Sequence, residues 1–203
     1  MYKNMNTHMN THMNTHMYKN TKLYTYKNLE ICIFLLLVYL ISLPSYYPYL
    51  PTLPVYDNNE SEIVKKMTQD RTVDDIDYFN LTNESVSYAY LEHVSESVEE
   101  LTKMYQNTIY IILLFKFLIN RPRPYQIDSS IEYLESSTGQ TPSMPSGHAF
   151  QAYYLTKVLS KKYPEKKKTF EDIAKKCNDC RIRAGIRYPS DGELSKSLVD
   201  LFY

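Results

Sequence analysis

The sequence predicts an all-α fold, a compact helical bundle that occupies residues 51–203. From about residue 56 no run alternates apolar and polar residues as a half-buried strand would, whereas apolar residues recur at helical spacing. Prolines at four positions between residues 121 and 146 exclude a continuous helix there. Helices are expected near 60–70, 84–106, 108–120, 147–162, 169–184 and 191–202.

Length and composition narrow the classes of function. The chain has 203 residues, enough for one domain with an appendage. Lys plus Arg and Asp plus Glu number 23 each, so no net positive field indicates nucleic-acid binding. Three cysteines do not make a disulfide framework, and the lone Cys177-x-x-Cys180 pair has no second ligand pair for zinc. We therefore expect neither a metal nor another cofactor.

Residues 1–28 form a low-complexity tail. Met-Asn-Thr-His occurs three times in tandem between residues 5 and 16, which would put His8, His12 and His16 on one face of a helix. Metal capture by these histidines is one interpretation, and expansion of a short DNA repeat is the simpler one. On the second interpretation translation could also start at Met17.

Residues 29–50 are predicted to be a signal peptide or a signal anchor. Residues 31–43 carry no charge, follow three lysines, and are shorter than the roughly 20 residues of a full span. No small-x-small cleavage site follows, which favours an anchor that contacts the membrane through residues 31–50. The chain would then be a single-pass or secreted protein with its C-terminal domain on the exported side. Three sequons agree with export, at Asn59, Asn80 and Asn83.

Basic residues stand at the end of the predicted helix 108–120. Lys116 interrupts an otherwise apolar run, so its ammonium must reach solvent or meet an anion. Arg121 and Arg123 follow, each before a proline that holds the backbone extended. Two guanidinium groups beside a core lysine suit a phosphoryl group. A basic loop in solvent is the alternative.

The segment Pro145-Ser146-Gly147-His148 opens the next predicted helix. Ser146 can cap this helix, Gly147 allows an anion close to the backbone, and the helix N-terminus favours negative charge. His148 in the first turn is placed to donate a proton to a leaving oxygen.

A third basic segment lies near the C-terminus. Arg181 stands near the end of the helix 169–184, Arg187 in the turn that Gly185 and Pro189 define, and Asp191 at the start of the next helix. A solvated basic face is the alternative interpretation of these arginines.

Together, the three segments resemble the signature of the type 2 phosphatidic acid phosphatase (PAP2) superfamily. Lys116-x6-Arg123-Pro124 precedes the Pro-Ser-Gly-His segment by 20 residues, and 31 residues separate that segment from Cys180-Arg181-x5-Arg187-x3-Asp191. Within the superfamily, Asn120-Arg-Pro-Arg-Pro124 and Tyr163-Pro164 resemble the bacterial class A non-specific acid phosphatases. This resemblance covers residues 50–203 and implies their all-α fold.

The resemblance also implies roles. Lys116, Arg123, Arg181, Ser146 and the N–H of Gly147 would bind phosphate oxygens, and His148 would be the general acid. A histidine of the third segment would attack phosphorus, and Asp191 would orient it. The ligand would be a phosphorylated small molecule or a phospholipid headgroup, without a cofactor.

This chain departs from the pattern at the nucleophile. Arg187 stands where the histidine belongs, and a guanidinium stays protonated and offers no lone pair. Cys180 also replaces a serine, which is a mild change. Two hypotheses follow, a phosphomonoester hydrolase and an inactive relative that binds phosphate, a headgroup or a protein partner. In the second, Arg187 would either pair with Asp191 or add a cation to the anion site.

Two other members of the superfamily fit less well. A multi-span lipid phosphatase needs several long apolar segments, and only residues 31–50 approach one. In a vanadium haloperoxidase the missing histidine would hold the vanadate. The substrate and the oligomeric state do not follow from the sequence.

Overall fold

The computed structural model describes residues 33–35 and 59–203, and the regular secondary structure of these residues is helical, without a strand. The chain divides into two units, Met1–Pro44 and Ser45–Tyr203. In the first unit residues 33–35 are helical and exposed. In the second the α-helices are α1 (Glu60–Gln69), α2 (Val73–Asn83), α3 (Val98–Tyr105), α4 (Ile109–Ile119), α5 (Pro124–Ile127), α6 (Gly147–Lys162), α7 (Lys167–Arg183) and α8 (Pro189–Phe202), with 3₁₀ turns at Val86–His93, Gln106–Thr108 and Pro164–Lys166.

Helix α6 lies at the centre of the bundle and packs against α3, α4, α7 and α8. Seven of its residues are buried, which is why its sequence lacks a strong polar face. Each fully buried leucine or phenylalanine in such a core stabilises the fold by roughly 1.5–3 kcal/mol. The main cluster comprises Val86, Tyr90, Leu101, Tyr105, Ala152, Leu155, Leu159, Phe170, Ala174 and Cys177.

The all-α prediction is confirmed, and most of the expected helices are present. The expected helix 84–106 is wrong as a single element, because it is divided into a 3₁₀ turn and α3. Ser97 caps α3 with a capping box, accepting from Glu100 N while the Glu100 carboxylate accepts from Ser97 N. Helix α2 was not expected; Thr72 starts it with a second capping box, closed by Asp75.

Two glycines permit close approaches behind the basic segments. Gly185 has φ 75°, and a Cβ there would lie 2.6 Å from the carbonyl oxygen of Glu132. Gly192 brings α8 against α7, since its Cβ would lie 1.9 Å from Oδ1 of Asn178. The starts of α6 and α8 are joined by Ser195, whose hydroxyl donates to Ser146 O at 2.9 Å.

Several predictions concern residues outside the described ranges. They concern the tail 1–28, nearly all of the segment 29–50 and the domain boundary at residue 51. All three stay predictions. Within residues 33–35 and 59–203, every helix is too short or too polar to cross a lipid bilayer.

Candidate anion-binding site

The ends of four helices place the predicted site residues in one region of the bundle. Helix α4 ends at Asn120, whose left-handed backbone (φ 54°) turns the chain into the segment of Arg121 and Arg123. Arg181 stands in the last turn of α7, and Arg187 in the turn between α7 and α8. The starts of α6 and α8 supply Ser146, Gly147, His148 and Asp191.

Four cations are buried in this region, each with at most 3% of its surface exposed: Lys116, Arg123, Arg181 and Arg187. This burial contradicts the alternative of solvated basic segments. With Arg121 they form a group of five buried cations, and the buried carboxylates near them are Glu60 and Asp191. When all are ionised, the region therefore has an excess of three positive charges. Because an unpaired buried charge is costly, such a site favours an anion.

Backbone carbonyl groups orient three of these cations. Lys116 Nζ donates to Pro142 O, and Arg187 Nη1 donates to the same oxygen at 3.4 Å. Arg123 donates to the carbonyl oxygens of Thr138, Thr141 and Ile186, at 2.7, 3.0 and 3.3 Å. Carbonyl groups carry no net charge, so they position the cations without neutralising them.

Burial lowers the pKa of Lys116, Arg123, Arg181 and Arg187. For Arg123 it lowers the pKa to about 10. For Lys116 burial comes first, and the charges of Arg187 and Arg123 lower its pKa further. An anion among them would reverse this effect, since it stabilises the charged forms.

One end of the Arg181 guanidinium is hydrogen-bonded, and its other nitrogens have no partner among the described residues. Its Nη2 donates to the carbonyl oxygen and to the hydroxyl of Thr82, at 2.6 and 2.8 Å, and its guanidinium carbon lies 4.5 Å from the centre of the Phe79 ring. Its Nε and Nη1 atoms are buried and have no hydrogen-bond partner in the described part of the chain. Two buried guanidinium nitrogens without acceptors favour a ligand that supplies acceptor atoms at this point.

Asp191 does not pair with Arg187, contrary to one expectation from the sequence. Within residues 59–203 its ion-pair partner is Arg121, whose Nη1 lies 2.8 Å from Oδ1. Its Oδ2 accepts from Ser143 Oγ, and from Tyr188 N at 2.9 Å. The carboxylate is thus already coordinated on both oxygens, and Arg187 is left as an additional cation of the site.

His148 is 7% exposed and lies near the cations. Its Nε2 is 3.0 Å from Asn83 O, and because a carbonyl can only accept, Nε2 carries the proton. Burial, then the charge of Arg181, holds the pKa of His148 well below its usual range. The imidazole is therefore neutral at pH 7 when the site holds no anion.

The Pro-Ser-Gly-His segment begins α6 as expected. Ser146 Oγ accepts from Ala149 N at 3.4 Å, which leaves its hydroxyl proton for another acceptor. Gly147 is the first residue of the helix, and its N–H is one of the groups without an intrahelical partner. Both groups therefore remain available to an oxyanion at the helix N-terminus.

Part of the chain is similar to known proteins. The model of the PAP2 superfamily matches residues 101–188 of the chain. This range of the chain therefore resembles the PAP2 superfamily. No curated protein sequence matches the chain. One similar solved structure is that of "the first transmembrane PAP2 type phosphatidylglycerolphosphate phosphatase" from Bacillus subtilis, with 17% identity, a TM-score of 0.38, and coverage of 71% of this chain and 73% of that chain.

The match to the PAP2 superfamily supports a phosphatase-related function and ligands of the phosphorylated or lipid class. The matched range contains Lys116, Arg123, the Pro-Ser-Gly-His segment, Arg181 and Arg187. The structure brings these residues together, with Asp191 beside them.

Sequence reasoning missed the residues that hold the side chains of the candidate site in place. Arg121 was expected, with Arg123, to suit a phosphoryl group, whereas the structure pairs it with Glu60 and Asp191. Glu60 gave no signal, since nothing local distinguishes it from other helix-starting glutamates. The others act through backbone atoms or short side chains: Thr82, Asn83, Pro142 and Ser143.

Cys177 and Cys180 lie in the core instead of the site. Both are buried free thiols, and burial raises the pKa of Cys177 to about 12. Across the described part of the chain, no three His, Cys, Asp or Glu side chains form a group that could hold a metal ion.

The neutral state of His148 predicts a pH-dependent stability. The folded pKa lies below the unfolded value of about 6.5, so the unfolded chain binds more protons as the pH falls. The contribution of His148 is therefore fully present above pH 6.5 and is lost below it, by about 1 kcal/mol at pH 5.5. Urea unfolding at pH 7.5 and 5.5 in phosphate-free buffer measures it. In His148→Gln, which keeps a donor for Asn83 O, the free energy of unfolding should fall by about 1 kcal/mol less between the two pH values than in the unaltered chain. Equal losses in the two proteins would contradict a neutral, buried His148.

Proposed function

We propose that this protein binds a phosphate dianion, either inorganic phosphate or the terminal phosphate of a phosphomonoester, without forming a phosphohistidine. The observation that carries the proposal is the excess of buried positive charge, with two unpartnered nitrogens on Arg181. A dianion supplies acceptors for those nitrogens and offsets most of the excess charge.

Each residue has a role in this proposal. Arg123, Arg181 and Lys116 bind the phosphate oxygens, and Arg187 adds a fourth cation where the nucleophile would stand. The hydroxyl of Ser146 and the N–H of Gly147 donate at the helix N-terminus. Bound phosphate raises the pKa of the nearby His148, so binding is accompanied by proton uptake.

The proposed ligand is a monoester in preference to a diester. A monoester phosphate carries nearly two negative charges at neutral pH, whereas a diester carries one. A site with this excess of buried cations discriminates by charge. A phospholipid headgroup that ends in a phosphomonoester meets the same requirement.

Hydrolysis of phosphomonoesters is the second candidate function. It is favoured by the retention of His148 beside Arg181, the position of the general acid in the family pattern. Against it stands Arg187, because a guanidinium has no lone pair with which to attack phosphorus. The resemblance to the class A acid phosphatases, which the sequence analysis described, supports this second candidate.

The predictions for the N-terminal region accompany the proposal. We propose that residues 29–50 are a signal anchor or signal peptide and that the domain 51–203 faces the exported side. A phosphorylated small molecule or headgroup in that compartment would then be the ligand.

Titration of the full chain with inorganic phosphate in a calorimeter tests the proposal. We expect saturable binding that weakens by about 10- to 100-fold in Arg181→Gln, because hydrogen bonds to a charged group are lost. Arg183→Gln is the matched control, since Arg183 is half-buried two residues away and faces Asp75 and Asp70 O. Absence of phosphate binding by the unaltered chain would overturn the proposal, and His148-dependent turnover of p-nitrophenyl phosphate by that chain would establish the second candidate instead.

A further inference from the structure

Arg121 makes contacts that the proposed function does not by itself require. It is 4% exposed, and its guanidinium carbon lies 3.8 Å from the centre of the Tyr188 ring. Its Nη1 donates to Asp191 Oδ1 at 2.8 Å and its Nη2 to Glu60 Oε2 at 2.6 Å. One planar group therefore bridges two buried carboxylates from opposite ends of the domain sequence.

Glu60 and Ser190 hold this bridge in place. Ser190 donates to Glu60 twice, from its N–H at 2.9 Å and from its hydroxyl at 2.7 Å. The same hydroxyl accepts from Arg121 Nη1 at 2.6 Å. The guanidinium is thus fixed by several contacts and by stacking, and the carboxylate of Asp191 is fixed with it.

The fixed carboxylate lies close to the cations of the anion site without pairing with them. Asp191 Oδ2 accepts from the N–H of Tyr188, the residue that follows Arg187, at 2.9 Å. Its charge also partly offsets the lowering by burial of the pKa of Lys116, Arg123 and Arg187. Among the described residues, however, Arg187 has no ion pair, and its one hydrogen bond is to Pro142 O. A carboxylate released from Arg121 can pair with Arg187, which has no counter-ion in the described part of the structure.

We propose that Arg121 is a positioning residue of the anion site: its ion pair with Asp191 keeps that carboxylate from Arg187 and leaves Arg187 available to the ligand. The inference rests on the proposed function for the identity of the ligand. The effect of Arg121 on the position of the Asp191 carboxylate does not depend on that function. Without Arg121, Asp191 competes with the anion for the same guanidinium. The site would then lose one cation and acquire an unmasked negative charge.

The test removes the bridge as a neutral pair. Glu60→Gln with Arg121→Gln deletes one charge of each sign and keeps amide groups for hydrogen bonding. In the full chain, we expect phosphate affinity measured by calorimetry to fall at least about tenfold. Adding Asp191→Asn to this double variant should restore affinity to within about threefold of the unaltered chain, because the competing carboxylate is gone. The control pair is Lys168→Gln with Asp172→Asn, an exposed i,i+4 pair that should change affinity less than about twofold.

A second readout follows Arg187 directly and needs no phosphate. The ¹⁵N–¹H resonance of Arg187 Nε, assigned by its loss in Arg187→Gln, should shift in the double variant and return when Asp191→Asn is added. Unchanged affinity in the double variant, or a loss that Asp191→Asn does not relieve, would overturn the inference. If the unaltered chain binds no phosphate, the proposed function fails, and the resonance alone decides: a reversible shift supports the role of Arg121, and its absence overturns it.

A more conservative variant covers the case in which the double variant does not fold, as judged by circular dichroism. Arg121→Lys keeps the charge but loses the planar fork through which two separate nitrogens reach Asp191 and Glu60. It should weaken phosphate binding at least about threefold and shift the Arg187 resonance in the same direction. Affinity and resonance equal to those of the unaltered chain would overturn the inference.

Discussion

Replacing Arg187 with histidine is expected to raise the hydrolysis of p-nitrophenyl phosphate by at least about 100-fold over the unaltered chain. The change introduces an imidazole lone pair at the position from which the family pattern attacks phosphorus. Loss of a nucleophile costs on the order of 10⁶ in kcat in a studied triad. We expect a smaller gain here because Arg121, Ser143 and Tyr188 N already occupy the carboxylate of Asp191.

Two further variants make the result specific to the nucleophile. Arg187→Gln removes the same charge without supplying a lone pair and should not gain turnover. His148→Ala in the Arg187→His background should abolish most of the gain, because the leaving group loses its general acid. A rate for Arg187→His no higher than that for Arg187→Gln would show that a nucleophile alone does not restore the reaction.

Replacing Asp191 with alanine is expected to lower the free energy of unfolding by about 3–5 kcal/mol, the range measured when one partner of a buried ion pair is removed. Asp191 is completely buried, and the change leaves Arg121 with one carboxylate fewer. Ser143 Oγ and Tyr188 N also lose their acceptor. Urea unfolding at pH 7.5, monitored by circular dichroism, measures the effect.

The matched control is Asp200→Ala in the same helix. The Asp200 side chain is 65% exposed and lies 3.5 Å from Lys157, so its ion pair is solvated. Its removal should cost less than about 1 kcal/mol. If the two alanine variants lost similar stability, the buried network around Asp191 would not have the structural role assigned to it.

The helices with clear start and stop signals could be predicted from the sequence. Ser146 and the Tyr163-Pro164 step define α6, and Gly185 with Pro189 separates α7 from α8, as the structure has them. The prediction of a single helix over 84–106 was wrong, although the apolar residues of this region recur often enough for one helix. Its division depends on Ser97, whose capping box with Glu100 starts a new helix within that run.

The membership of the anion site was also largely accessible. Lys116, Arg123, His148, Arg181 and Arg187 stand in three short segments at family spacing, so the local sequence was enough to select them. The supporting contacts were not accessible in the same way. Thr82 contacts Arg181 and Asn83 contacts His148 mainly through backbone carbonyls, which every residue possesses, so no side-chain type marks them.

By itself, the sequence determined that this domain is helical and that a residue without a lone pair, Arg187, stands where the family resemblance expects the attacking histidine. Both follow from properties of the residues themselves, periodicity in one case and the chemistry of a guanidinium in the other. Only the tertiary structure decided which arginine pairs with Asp191. Arg121 and Asp191 are 70 residues apart, and the choice between Arg121 and Arg187 depends on the packing of Glu60, Ser190 and Tyr188 around the guanidinium. Buried charges pair with the partner that the fold brings within hydrogen-bonding distance, and proximity in the chain does not decide it.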